Sequence, residues 1–271
     1  MSYFSNKIVW ITGGSSGIGK ELAVQLSNMG CTLILTARRK ELLEDVKKQC
    51  GNADVRIYPY DLSNIDGIDE FSDKVQKEVG AIDILINNAG ISAWSSVDET
   101  KFNVYQEVMN LDFYSVVKLT KSVLPSMISR KSGQIVSVSS LLGKFAIKKR
   151  SVYSSAKHAL QGFMDALRAE VYENNIKVNV VAPGYVETEV GIKALTADGS
   201  EYGANDRGHS TKGMKAEKAA NMIINAVAKN KREAYIIPLF SFSRFVLLLS
   251  RFAPGFAAKI ARNYNEVQKS K

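Results

Sequence analysis

Thr12-Gly13-Gly14-Ser15-Ser16-Gly17-Ile18-Gly19 is the stretch from which the fold can be read. It follows a short, β-branched apolar run at residues 7–12. It precedes residues 17–29, where Ile18, Leu22 and Leu26 recur at helical spacing. Glycines in such a turn let the chain reverse tightly and bring backbone close to a ligand. The start of the following helix aims its unpaired N–H groups at the same point. A glycine-rich turn is a weak signal alone, but between a first strand and a helix it indicates a pyrophosphate cradle.

Downstream of this turn, apolar runs and helical patterns alternate. Strands are expected at residues 31–36, 55–59, 82–86, 134–139, 177–182 and 234–238. Helices are expected at 41–50, 65–79, 153–174 and 216–229. Residues 104–130 read as one or two long helices, interrupted or kinked near Pro125. Alternation of this length means parallel strands joined by right-handed crossovers. The expected fold is α/β: a doubly wound parallel sheet of the Rossmann type, with helices on both faces. One catalytic domain would span residues 1–238, with a C-terminal apolar and basic extension over 239–271. Sheets of this kind bind ligands beyond the carboxyl ends of their strands. Chemistry is therefore to be sought in the segments after Thr12, Thr36, Ile86, Ser139 and Ala182.

The spacing T-G-x-x-x-G-x-G resembles the short-chain dehydrogenase/reductase family, and further motifs recur in the family's order. They are Asp61-Leu62, Asn87-Asn88-Ala89-Gly90, Asn110, Ser139-Ser140, Tyr153-Ser154-Ser155-Ala156-Lys157 and Pro183-Gly184-Tyr185-Val186-Glu187-Thr188. The resemblance runs from about residue 7 to 238. It implies that Gly13, Ser15, Ser16, Gly17, Ile18 and Gly19 line the cofactor phosphates, and that Asp61 and Leu62 contact adenine. Asn88, Ala89 and Gly90 would support the central sheet and cofactor. Pro183, Gly184, Val186 and Thr188 would hold the nicotinamide amide. The family serine lies thirteen positions before the tyrosine, which selects Ser140, with Ser139 as runner-up. Asn110 matches the asparagine that holds a water in the proton relay.

Tyr153 and Lys157 are four residues apart, so a helix places them on one face. A free phenol has a pKa of about 10 and relays protons poorly near neutrality. A neighbouring ammonium stabilises the phenolate. Tyr153 is then the general acid in reduction and the general base in oxidation, with Ser140 polarising the carbonyl. By the family resemblance, Lys157 also donates to the nicotinamide ribose. At the end of the second strand, an acidic side chain would select NAD through the ribose 2′-hydroxyl. This chain has Ala37-Arg38-Arg39 there, and no Asp or Glu from residue 31 to 40. Arginine grips a 2′-phosphate with a planar fork. The expected cofactor is NADP(H), held by Arg38 with Arg39 or Ser15 assisting.

Residues 189–213 are polar and glycine-rich, and read as a substrate lid. Apolar side chains expected around the pocket are Ile91, Trp94, Leu141, Leu142, Phe145 and Tyr185. The substrate would be a hydrophobic carbonyl or alcohol compound bound by Ser140, Leu142, Tyr153 and Tyr185. Residues 195–203 and the tail resemble the dehydrogenase/reductase member 7B-like and hydroxysteroid dehydrogenase-like branch, which implies a lipid-like ketone. The alternative to an enzyme is a cofactor sensor or scaffold, and the presence of both Tyr153 and Lys157 argues against it.

The 271 residues are 45% hydrophobic and 23% charged, as in ordinary globular chains. A net charge of +9 can attract anionic partners, yet no zinc-finger spacing or RNA-binding motif points to nucleic acid. Cys31 and Cys50 are too few for a disulfide framework. Residues 1–6 lack the pattern of a secretory signal, so the expected compartment is cytoplasmic, and no metal is expected. His158 and His209 are read as non-catalytic. In the tail, Leu239, Phe240, Phe242, Phe245, Leu248, Leu249, Phe252 and Phe256 mix with Arg244, Arg251, Lys259, Arg262, Lys269 and Lys271. That composition suits a peripheral, interfacial membrane helix, with packing on the core or a partner subunit as the alternative. The family resemblance implies a homodimer or homotetramer built from the two long helical regions.

Overall fold

The computed structural model describes residues 2–203, 213–238 and 241–263. Strand β1 (Ile8–Thr12) runs through the glycine turn into α1 (Gly17–Ser27). Then follow β2 (Thr32–Thr36), α2 (Lys40–Gln49), β3 (Val55–Ile57), α3 (Ile68–Val79) and β4 (Ile84–Asn87). Helix α4 (Phe102–Met109) passes through a π-helical turn (Asn110–Tyr114) into α5 (Ser115–Arg130). Next come β5 (Gly133–Val138), a 3-10 turn (Leu141–Gly143), α6 (Ser151–Glu170), β6 (Ile176–Pro183), β7 (Val186–Glu187) and α7 (Glu189–Ile192). The described chain closes with β8 (Met214–Lys215), α8 (Ala216–Ala228), β9 (Glu233–Ile236), α9 (Phe242–Phe252) and α10 (Pro254–Asn263).

Seven strands form one parallel sheet in the order β3-β2-β1-β4-β5-β6-β9. The direction of winding reverses between β1 and β4, so the connections that leave their carboxyl ends part and leave a crevice. Side chains alternate between the faces. Val9 and Ile11 face the layer of α1 and α8, packing with Leu22, Leu26, Leu33, Leu35, Ile223 and Val227. Trp10 faces the opposite layer with Ile34, Leu85, Val123, Met127, Leu160 and Met164. Its buried indole N–H donates to Thr36 Oγ1 at 3.0 Å, so the apolar sheet carries no orphaned donor there. Burial on both faces explains why these strands read as unbroken apolar runs.

The doubly wound sheet and the order of its elements agree with the sequence reading, and four details differ. The irregularity expected near Pro125 lies at Asn110–Tyr114 instead, while α5 continues through Pro125. Pro125 and Lys121 are both exposed, so the carbonyl that lacks an N–H partner can be served by water. The second difference is a small parallel pair, β7 with β8, beyond the main sheet. Third, the described part of the expected lid, residues 189–203, is structured. It holds α7, and Leu195 bridges to both Ala93 and Glu201. Fourth, the extension forms two helices. Val246 and Ala257 are buried, and the Arg244 guanidinium donates to Pro238 O at 3.2 Å. No helix among the described residues is long and apolar enough to cross a membrane.

Cys31 and Cys50 are free and buried. Burial pushes the Cys31 thiol up to about 11, which makes it a packing residue rather than a nucleophile. His209, Leu239, Phe240, Lys269 and Lys271 lie outside the described residues.

Candidate active site

The crevice is floored by β1 and β4. Thr12 Oγ1 accepts the N–H groups of Asn88 and Ala89, each at 3.0 Å. The Asn88 amide donates to Thr12 O at 2.9 Å, which ties the glycine turn to the end of β4. Gly13 and Gly17 adopt positive φ angles of 66° and 52°, the left-handed region open to glycine. A Cβ on Gly19 would lie 2.2 Å from Gly13 O, so α1 and the turn meet backbone to backbone. Ser16 makes no side-chain cap on α1, and the first turn carries no acidic residue. The N-terminal N–H groups of α1 are thus left for an anion, which fits a pyrophosphate. Ser15, Ser16 and Ile18 stand half-exposed at this mouth. Thr188 closes over it from the far side: a Cβ on Gly17 would touch Thr188 Cγ2 at 3.0 Å.

The other predicted cofactor residues surround the same edge. Asp61 Oδ1 accepts from Ser63 N and Oγ at 3.0 and 2.7 Å. Leu62 is buried in the core, so it offers a ligand backbone rather than side chain. Pro183 ends β6, and Gly184 N–H donates to Ile236 O at 3.1 Å. Val186 is buried in β7. At the end of β2, Arg38 is exposed and makes no ion pair with another described residue. Arg39 Nη2 lies 3.6 Å from Glu189 Oε2. No carboxylate occurs along residues 31–40, but Glu189 approaches this end in space. The hydrogen bond from Lys193, and more weakly Arg39, holds the Glu189 carboxyl below its usual range.

Tyr153 and Lys157 share a face of α6, and the Lys157 ammonium lies 5.5 Å from the centroid of the Tyr153 ring. Lys157 is only 4% exposed and donates to Val138 O at 3.2 Å. Its Nζ is also 3.0 Å from Oδ2 of Asp112, which is 0% exposed. Oδ2 lacks the alignment of a good hydrogen bond, so this contact is chiefly one of charge. Asp112 Oδ1 accepts Ile91 N–H at 2.8 Å. Burial pushes the Asp112 carboxyl up against the pull of the Lys157 ammonium. For Lys157, burial works to lower its ionisation range, but Asp112 and then Tyr153 outweigh that and hold it above the usual one.

Ser140 Oγ accepts Leu142 N–H at 3.1 Å as the cap of the 3-10 turn, which leaves its own hydrogen available to donate outward. Ser139, the runner-up, is buried and accepts from Gln161 Nε2 at 3.2 Å. Asn110 opens the π turn half-buried, its N–H serving α4. Of the expected pocket residues, Leu141 turns inward against Ala182 and Ile237. Ile91, Leu142 and Phe145 are half-buried, and Tyr185 is 46% exposed. Trp94 lies under the Arg150 guanidinium at 4.0 Å, and Arg150 donates to Ser92 Oγ and Ala93 O at 2.7 and 3.1 Å. Trp94 N–H donates to Leu195 O and Leu195 N–H to Ser92 O, both at 2.8 Å, so the lid segment is clipped to the loop after β4.

A groove of about 930 Å³ between α8, β9 and the start of α9 touches Tyr185, Met214 and Ile237 but neither Tyr153 nor Lys157. His158 is exposed and its Nδ1 lies 2.8 Å from Ser154 O, away from the site. No group of three or more His, Cys, Asp or Glu side chains suited to a metal occurs among the described residues. Sequence reasoning missed Asp112. Its signal is an acid on the apolar stripe of Val108, Val116 and Leu119, where only a partnered charge can be buried.

Residues 7–198 match the family model described as short chain dehydrogenase. The chain is 43% identical over 236 residues to a dehydrogenase/reductase SDR family protein 7-like of Drosophila melanogaster, covering 85% of this chain and 72% of that relative. It is 36% identical over 265 residues to dehydrogenase/reductase SDR family member 7B of Mus musculus, covering 96% and 78%. The fold is similar to that of a short-chain dehydrogenase/reductase from Burkholderia phymatum in complex with NAD. There the TM-score is 0.81 at 19% identity, over 94% of this chain and 96% of that one. A metagenomic short-chain oxidoreductase in complex with NADP superposes with a TM-score of 0.72 at 25% identity, over 88% and 100%.

The backbone contact at Gly19 has a direct test. Gly19→Ala forces the Gly13 carbonyl out of the turn, so binding of NADPH, followed by its fluorescence, should weaken by more than about tenfold, or 1.4 kcal/mol. Undiminished binding in this variant would refute the placement of the phosphates.

Proposed function

Because the chain belongs to the short-chain dehydrogenase family, we propose that it interconverts a hydrophobic, lipid-like ketone and its secondary alcohol with NADP(H), Tyr153 moving the proton. The observation that carries this reading is that Tyr153 and Lys157 share a face of α6, which packs against the 3-10 turn capped by Ser140, at the same carboxyl edge of the sheet as the uncapped start of α1. When bound there, the dinucleotide supplies the hydride that adds to the carbonyl carbon. The chain's own residues do the rest. Ser140 Oγ donates to the carbonyl oxygen as charge grows on it. Tyr153 gives that oxygen its proton, and the Lys157 ammonium stabilises the phenolate left behind. Asn110 holds the water through which the proton is replaced. Oxidation runs the same transfers backwards.

Exposed Arg38, with Arg39 occupied by Glu189, supports NADP(H) over NAD(H). The apolar side chains of Ile91, Leu142, Phe145 and Tyr185, on the segments that follow β4, β5 and β6, support an apolar substrate. The extension beyond residue 238 gives such a substrate a route from a membrane. Phe242, Phe245, Leu248 and Phe252 recur every three or four residues on the outer side of α9 and are 60%, 50%, 58% and 78% exposed. Arg244 and Arg251 add positive charge to this helix, and a basic side chain near an anionic surface can contribute on the order of 1 kcal/mol.

Tyr153→Phe keeps the ring and removes the proton. Turnover of aryl and alkyl methyl ketones should fall by about a hundredfold or more while NADPH binding persists; retained turnover excludes the assigned role. The unaltered chain should bind NADPH more tightly than NADH. Arg38→Ala should erode that difference by about ten- to a hundredfold, the size of one charge-assisted hydrogen bond (~1.5–3 kcal/mol); equal dissociation constants for the two cofactors before mutation end the NADP(H) reading. The chain should also co-sediment with vesicles containing phosphatidylserine, and Phe245→Ser/Phe252→Ser should release it. If both proteins stay in the supernatant, α9 does not contact membranes.

A further inference from the structure

Only two charged side chains among the described residues are fully buried, Asp112 and Lys157, and they face each other at 3.0 Å. A buried ion is retained only with a partner, and the local structure is built to keep this one in place. The π turn Asn110–Tyr114 rotates Asp112 off the regular helical path toward the carboxyl edge of the sheet. The Ile91 N–H fixes one carboxylate oxygen. Gly90 leaves room for the other, since a Cβ there would meet the carboxylate oxygens at 3.1 and 3.2 Å. The carboxylate is thereby tied to the loop that carries Asn88 and Ala89, and through it to the glycine turn.

Few other groups face the pair. Helix α6 contributes Tyr153, the end of β5 contributes the Val138 carbonyl, and the loop after β4 contributes the Ile91 N–H. No second acid or base on these elements touches it, and His158 bonds back along α6. We infer that Asp112 is a positioning residue: the counter-ion that aims Lys157 and, by balancing its charge, sets how readily the Tyr153–Lys157 pair gives up its proton. The inference rests on Tyr153 being the proton donor. Removing one negative charge from a buried site makes every remaining proton there easier to lose. Reduction needs the pair protonated, so loss of the Asp112 charge should end activity at a lower pH.

Asp112→Asn keeps the shape and an oxygen for the Ile91 N–H. Its alkaline limb for NADPH-dependent reduction of an aryl or alkyl methyl ketone should move down by about one pH unit or more. A uniformly lower rate with an unmoved limb would overturn the inference, because a merely structural Asp112 gives that result. The second measurement needs no turnover. Melting temperatures are compared for Asp112→Asn, Lys157→Met and the double variant. Each single change strands one buried charge, and the double strands none. The double variant should therefore lose less than the two singles together, and should fold even where Asp112→Asn alone does not. Additive losses, or a double variant no more stable than Asp112→Asn, would break the pairing. Failure of the unaltered chain to reduce any ketone with NADPH or NADH brings down the proposed function, while the stability cycle still reports on the pair.

Discussion

Strands β1 and β4 are neighbours whose onward connections leave in opposite directions, and one hydroxyl holds their ends together. Thr12 Oγ1 accepts two backbone N–H groups of the segment after β4 and lies 3.5 Å from Ile86 O. The glycine turn can then fold under β2, where Gly13 N–H reaches Thr36 O at 2.8 Å. The same pin sets the path of Asn88, Ala89 and Gly90, and Gly90 admits the Asp112 carboxylate that meets Lys157. The anion cradle and the proton-handling side chains are therefore referred to one anchor rather than to two.

Two ion pairs at this edge differ in what they can do. Arg39 and Glu189 are about half exposed, and a pair of that kind contributes roughly 0–1 kcal/mol. It can steer the start of α7 without rigidly fixing it. Asp112 and Lys157 have no water to fall back on, and breaking a buried pair costs about 3–5 kcal/mol. Well-packed apolar residues would hold the same space at lower cost. The charges are therefore better explained by what they do to the site than by what they add to stability.

The sheet was legible because its central strands are buried on both faces and the longer helices show their periodicity; β1, the glycine turn and α1 could be placed from residues 7–29 alone. Tyr153 and Lys157 were legible because four residues is one helical turn. The π turn was not, since an extra residue inside a helix leaves the apolar pattern nearly intact and Pro125 is the louder signal. Glu189 could not be foreseen beside Arg39, because the two meet only when β2 and the end of β6 share one sheet edge. Bridges of single residues, such as Ala93 with Leu195, and the two-residue strands β7 and β8 are too short to carry any periodicity.

The seam between β1 and β4 also bears on how the chain is made. Val9 pairs with Leu33 on one side and with Ile84 on the other. The first neighbour leaves the ribosome soon after β1. The second is 75 residues away (84 − 9), about 4–15 s of synthesis at ordinary rates. For that interval β1 is an edge strand with open hydrogen-bonding groups, the kind of surface on which nascent chains aggregate. The Thr12 hydroxyl that later pins the crevice is at that stage a polar group at the tip of this open edge, and Asn88 and Ala89 end the exposure when they reach it.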